Sequence, residues 1–550
     1  MLNRRQALLL PATAGVGAAL ALPAKASDSV KTAAHQAPGN CSTPRSAVAK
    51  TQYGKVRGFV SGGVLTFKGI PYGQDTSGEN RWLPAKPPKP WTDEYPALIY
   101  GPNSPQRLHN WAIEQTFLQD WDDGYQGEDM LKLNVWTPSL TGKRPVLVYY
   151  HGGGWGFGSS YELPSHEGAQ LARYHDAVSV SVNHRLNVLG FLDLSEIGGP
   201  AYADSVNVGL TDLVVSLRWV RENIANFGGD PDKVMIYGQS GGGAKIAALM
   251  ATPSATGLFH RASIQSPGPG NHPDPGPSKE LARQLMKDLG LPANDVASLQ
   301  KMEWAKLNAA HDAAAAKVNG AGPRPMGGPN SAGPPRVGGG PTVDGRIMTM
   351  RSLHDAGPDV SKNVPILIGN VSEEGNSMIS RPTEEQWHTN LLRIMDSAKA
   401  TTLIAAMKKA HPEKSIRQLS FCVSSLDWMN YIYRMAKLKY EQKGAPVYKY
   451  YFTWQSPMLE DAGAWHTADL TFCFDNTKRC EQGTGNTPEA QALAKKMATA
   501  WVNFARTGNP SQPGLTWTPF DPNRCQTMVW DNQCRMVDDP EGELRKILAI

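Results

Sequence analysis

The stretch Val234-Met-Ile-Tyr-Gly-Gln-Ser-Gly-Gly-Gly243, continued by Ala244-Lys-Ile-Ala-Ala-Leu-Met250, decides the fold. A β-rich run ends at Tyr237 and an apolar, helix-like pattern begins just after Gly243. Between them lies G-x-S-x-G: Gly238, Gln239, Ser240, Gly241 and Gly242. The pentapeptide alone is a weak signal in a chain rich in glycine and serine. Its setting, a strand, a sharp turn and a helix, is what a nucleophilic serine of this kind requires. The turn is strained so that the hydroxyl points out of the sheet. Side chains two residues to either side would collide there, so glycine is required. The following helix turns free N–H groups and a positive dipole end toward the same spot. Ser240 is therefore the candidate nucleophile.

Outward from this segment, short β-rich runs alternate with helical patterns. The runs include residues 145–150, 178–182, 262–265, 364–368 and 447–454. Near-continuous apolar runs suit strands buried on both faces. Residues 211–226 place Leu213, Leu217, Val220 and Ile224 at helical spacing. The alternation predicts an α/β chain: a large, mostly parallel central sheet with helices on both faces. Residues 48–72 differ, being rich in Gly, Thr and Val. They read as antiparallel strands at the edge of the same sheet. Residues 320–341 form a Pro/Gly-rich loop, either a solvated linker or a rim over a pocket.

Of the chain, 40% is apolar and 19% charged, with a net charge of +5. That composition is globular. No basic block carries interleaved aromatics, so nucleic acid is not an expected partner. Asn3-Arg4-Arg5-Gln6, an apolar run over 7–22 and the small-x-small site Ala24-Lys25-Ala26 read as a signal peptide over residues 1–26. The paired arginines suggest the twin-arginine route and a periplasmic or secreted product. Residues 27–47 read as a flexible segment and 48–550 as a single domain. No other run is apolar enough to span a bilayer, so no stable membrane span is expected after leader removal. Of six cysteines, none forms a CxxC pair, and no metal site is expected. Cys525 and Cys534 flank a short apolar segment and are placed to bridge a hairpin. Cys473 and Cys480 are also near neighbours. The alternative for each is a buried thiol.

A serine hydroxyl needs a base. Chain order Ser…acid…His, that of the α/β-hydrolase fold, leaves His388, His411 and His466. His388 lies in an amphipathic helical pattern, and His411 ends a Lys-rich one. His466 follows the run 447–454 in Gly463-Ala-Trp-His466, on a loop that can reach back over the sheet, and is chosen. The acid is expected after residues 364–368, in Gly369-Asn-Val-Ser-Glu-Glu-Gly375. Glu373 and Glu374 both fit; one would orient the imidazole and the other would be solvated. Asp344 and Asp469 are lesser candidates. His151-Gly-Gly-Gly154 directly follows a strand and offers bare amides to an oxyanion, together with the Gly241 amide.

These motifs resemble type-B carboxylesterases, the family that includes the cholinesterases. The resemblance runs from about Gly54 to Trp517. It includes Phe67-Lys-Gly-Ile-Pro-Tyr72, Glu128-Asp-Met-Leu-Lys-Leu-Asn-Val135, Asn183-His-Arg-Leu-Asn-Val-Leu-Gly-Phe191, the Ser240 turn, Glu374-Gly375 and Gly463-Ala-Trp-His466. It implies the acid at Glu374 and the oxyanion donors at Gly153, Gly154 and Gly241. It also implies a supporting serine at Ser266 near the acid and histidine, and a structural ion pair between Arg81 and Glu128. Met130 stands where many members have a cysteine, so their N-terminal disulfide is not expected. Gly241 stands where alanine is common; the amide it must supply is unaffected. No counterpart of the tryptophan-bearing loop that serves quaternary ammonium in cholinesterases is found, so a choline ester is not expected.

The expected function is hydrolysis of a small-molecule carboxylic ester through an acyl-enzyme on Ser240, without a cofactor. A carbamate or amide hydrolase would use the same triad. A non-catalytic adhesion or scaffold protein on this fold would usually lack part of it. Trp155, Phe157 and the loop 320–341 are candidate pocket residues. Neither the ester nor the oligomeric state is legible.

Overall fold

The computed structural model describes residues 40–41, 47–108, 114–320, 335–375 and 381–548. The expected leader at 1–26 and residues 321–334 of the Pro/Gly-rich loop lie outside the described residues. Gly39–Ile550 forms one compact unit.

In chain order the strands are β1 (Asn40–Cys41), β2 (Val48–Thr51), β3 (Gly54–Arg57), β4 (Phe59–Ser61), β5 (Val64–Pro71), β6 (Tyr95–Pro96), β7 (Lys132–Thr137) and β8 (Arg144–Tyr150). They continue with β9 (Val178–Val182), β10 (Gly229–Gln239), β11 (Arg261–Gln265), β12 (Ile366–Val371), β13 (Val447–Phe452), β14 (Gln526–Trp530) and β15 (Arg535–Asp538). Twelve of them make one sheet in the order β1-β4-β5-β7-β9-β8-β10-β11-β12-β13-β14-β15. From β9 to β14 every neighbouring pair is parallel; the outer pairs are antiparallel. The fold is that of the α/β-hydrolases, as the sequence predicts.

One edge departs from expectation. β4 and β5 join the large sheet, but β2 and β3 pair with β6 in a separate three-stranded sheet. Tight turns within 48–72 are legible, but which distant strand each arm meets is a long-range choice.

The central strands are buried on both faces because helices cover both. Val146, Val148, Val234 and Ile236 face Leu213 and Leu217 of helix Val208–Asn223 and Ile246 of helix Gly241–Met250. The alternate residues Leu147, Tyr149, Met235 and Tyr237 face Leu171 of helix Ala169–His175 and Met497 and Trp501 of helix Pro488–Thr507. This period-two division of side chains locks strand register, since a one-residue slip would exchange the two cores. Among the described residues no helix is long and apolar enough to cross a membrane.

Two ion pairs fix the loops around the sheet. Arg81 Nε donates to Glu128 Oε2 at 2.8 Å, as the resemblance implies. Arg185 and Asp212, both almost fully buried, meet through Nε–Oδ2 at 2.8 Å and Nη2–Oδ1 at 2.6 Å. Of the two readings open for the cysteines, the described ones follow the free-thiol one: Cys422, Cys473, Cys480 and Cys525 are buried thiols and Cys534 a half-buried one. The β14–β15 ladder explains one case. Arg535 pairs with Val529 and Asp538 with Gln526, so Cys525 and Cys534 stand at opposite ends of the hairpin.

Candidate active site

The strand register gathers the candidate residues at one end of the sheet. Gln239 of β10 lies beside Gln265 of β11, which lies beside Gly369 of β12, which lies beside Tyr450 of β13. Ser240 and Ser266 directly follow their strands, and the loop bearing Glu374 directly follows β12. The segment after β13 carries His466. Carboxyl ends of parallel strands are where open α/β sheets bind their ligands. The staircase is hydrogen-bonded: Ser240 N–H donates to Gln265 O at 2.9 Å, and Ser266 N–H to Gly369 O at 2.8 Å.

Ser240 sits at φ 56° and ψ −119°, between β10 and the helix Gly241–Met250. A non-glycine residue held there stores roughly 1–3 kcal/mol of strain. The turn is crowded as the sequence argument requires. A Cβ on Gly238 would stand 2.6 Å from Tyr150 O, and one on Gly242 would stand 2.2 Å from the same oxygen. Gly241 has its own cause: a Cβ there would come within 2.2 Å of Gly154 N. The Gly-rich loop therefore presses on the first residue of the helix, and the alanine common among the resembled esterases has no room here.

Glu374 is buried and its two oxygens divide their work. Oε2 lies 2.5 Å from His466 Nδ1. Oε1 accepts from the Ser266 hydroxyl at 2.5 Å and from Val371 N–H at 3.1 Å. The loop of His466 is held from outside, since Gln115 and Gln119 donate side-chain amides to His466 O at 2.9 and 3.3 Å. His466 and Ser240 line one cavity of about 160 Å³, together with Gly152, Gly153 and Gly154. The Gln239 amide nitrogen stands 3.1 Å from His466 Nε2, the ring nitrogen that does not meet Glu374.

The second glutamate is not solvated, contrary to the sequence expectation. Glu373 is fully buried and ion-paired with Lys414. Its Oε2 accepts from Ala464 N–H at 2.7 Å, and its own N–H donates to Ala464 O at 3.1 Å. It clamps the acid loop to the histidine loop. Asp469 bonds to the Tyr450 hydroxyl and the Gln265 amide, and burial pushes its carboxyl up to about 6. Asp344 Oδ1 accepts backbone N–H groups of residues 346–348. His411 is 3.0 Å from Glu541, and His388, on the helix Glu384–Leu391, meets the Thr401 hydroxyl at 3.3 Å.

Phe157 lines the cavity, as expected of a pocket residue. Trp155 packs edge-on against Phe191 in the core instead, and no described residue of 335–341 lines the cavity. Sequence reasoning also passed over Lys245. Buried in an otherwise apolar helix, its ammonium donates to His151 O at 2.7 Å and Gly152 O at 3.2 Å. It ties the helix after Ser240 to the Gly-rich loop, and burial lowers its pKa to about 7. The signal was a single lysine inside Ala244–Met250.

The arrangement matches known proteins along its length. The model of the carboxylesterase family matches residues 45–543. Para-nitrobenzyl esterase of Bacillus subtilis is 30% identical over 505 residues, covering 91% of this chain and 98% of the relative. Phenmedipham hydrolase of Pseudarthrobacter oxydans is 32% identical over 494 residues, covering 86% of this chain and 92% of the relative. The solved structure of an esterase from Clostridium hathewayi that can hydrolyze aliphatic aromatic polyesters superposes with a TM-score of 0.80 at 31% identity, covering 92% of this chain and 99% of that one. The chain belongs to the carboxylesterase family, whose serine-dependent hydrolysis of carboxylic esters it shares.

Proposed function

We propose that Ser240, His466 and Glu374 perform this hydrolysis as a triad, with Gly153, Gly154 and Gly241 as the oxyanion donors. The observation that carries the reading is the hydrogen-bonded chain from buried Ser266 and Glu374 to His466, ending in the cavity that Ser240 lines. His466 Nε2 takes the Ser240 proton as Oγ attacks the ester carbonyl. The backbone amides hold the oxyanion, and Glu374 fixes the imidazole tautomer through Nδ1 and stabilises its charged form. His466 then protonates the leaving alcohol. A water that gives its proton to His466 releases the acid and restores the hydroxyl. Ser266 acts on Glu374 rather than on substrate.

A fluorophosphonate probe should label the folded protein once, on the peptide carrying Ser240, with parallel loss of p-nitrophenyl ester turnover. A folded protein that takes no label would favour a non-catalytic role. Matched ester, carbamate and amide substrates rank the bond preference. Export rests on the leader alone: the mature protein recovered outside the cytoplasm should begin at Ser27, and recovery of uncleaved chain only in the cytoplasm would overturn it.

A further inference from the structure

Beside the triad, the cavity has a polar wall that the proposed chemistry does not use. Glu162 and His166 both line it, and both are almost wholly buried. His166 Nε2 is already engaged, 2.9 Å from the Tyr149 hydroxyl. Glu162 Oε2, like His166 Nδ1, is buried and has no hydrogen-bond partner among the described residues. Apolar side chains of Phe157, Leu163 and Leu470 line the same space. A buried polar atom left without a partner calls for an explanation, and a ligand is one.

We propose that Glu162 forms a subsite for a hydroxyl group carried by the ester, on its acyl or its alcohol part. The proposal rests on the reading of Ser240 and His466 as the ester-cleaving pair, because it takes their cavity as the binding site. Burial raises the Glu162 carboxyl well above the usual carboxylate range, opposed by the Ser159 hydroxyl and the Lys245 charge. A hydroxyl both donates and accepts, so it pairs with this carboxyl whether protonated or ionised. A hydrocarbon chain leaves Oε2 unpaired. Sites that hydrogen-bond a substrate group discriminate against the analogue lacking it, because the protein's own polar atom is then stranded.

The test compares matched pairs by kcat/KM: ethyl butyrate with ethyl 3-hydroxybutyrate, and butyl acetate with 4-hydroxybutyl acetate. The wild type should favour the hydroxylated member of at least one pair by about tenfold. Glu162→Leu should abolish or invert that preference. Glu162→Gln, which is isosteric and still hydrogen-bonds, should retain part of it. No preference for either hydroxylated ester in the wild type would overturn the subsite, whether or not the variants fold. So would a preference that persists in Glu162→Leu. A folded wild type that cleaves neither member of either pair and no p-nitrophenyl ester would overturn the Ser240 reading and the subsite with it.

Discussion

Replacing Ser240 with alanine should lower kcat for a p-nitrophenyl ester by roughly five to six orders of magnitude. The hydroxyl is the only atom that the mechanism uses to form the covalent intermediate, so no neighbour can substitute for it. The remaining acceleration would come from the amides of the Gly-rich loop and from binding. KM should change little, because the hydroxyl contributes little to ground-state contact. The backbone adds a second readout. At φ 56° both serine and alanine are strained, whereas glycine is not. Ser240→Gly should be as inactive as Ser240→Ala but should melt higher. A net relief of about 1 kcal/mol corresponds to roughly one or two degrees in a chain of this size. Alanine-variant turnover within a hundredfold of wild type would remove Ser240 from its role. A glycine variant that melts below the alanine variant would remove the strain argument.

The second large effect is expected at Glu374. Glu374→Gln preserves shape but reverses the chemistry at one atom. Oε2 now lies 2.5 Å from His466 Nδ1 and acts as an acceptor. Meanwhile Oε1 accepts from Ser266 and Val371 N–H, so the amide oxygen of a glutamine would keep those two donors. Its NH2 group would then face Nδ1 and select the opposite tautomer, with the proton on the nitrogen that must receive one from Ser240. The loss in kcat should be about 10³–10⁴-fold, or roughly 4–5.5 kcal/mol of transition-state stabilisation. The fluorophosphonate reaction should slow in parallel, since it needs the same proton transfer. Glu373→Gln supplies the contrast. Glu373 touches Lys414 and Ala464 rather than His466 Nδ1. A larger kcat loss there, with Glu374→Gln near wild type, would reverse the assignment.

The two glutamates show where the sequence stops. In Ser372-Glu373-Glu374-Gly375 neither the residue type nor the pattern separates them. The resemblance to the esterases selects Glu374. The physical reason is the path of the loop after β12, which turns one carboxyl toward His466 and the other toward Lys414, 41 positions later in the chain. Lys245 and Glu162 were opaque for the same reason. Their partners are the loop at 151–152 and a cavity assembled from distant segments.

Local physics alone determined the strand–turn–helix at Ser240, the Gly-rich loop at 151–154, and the central strands β8 and β10–β13. Each is marked by a pattern within a few residues: glycines flanking Ser240 or following a strand, and near-continuous apolar runs. His466 followed from chain order plus one strand. Only the tertiary structure decided that β2 and β3 leave the main sheet, that Cys525 and Cys534 stand apart, and that Glu373 is a buried clamp. It also decided that Gly241 is pressed by Gly154. These depend on which remote segment arrives at a given point, which is set by the packing of the whole chain rather than by its local pattern.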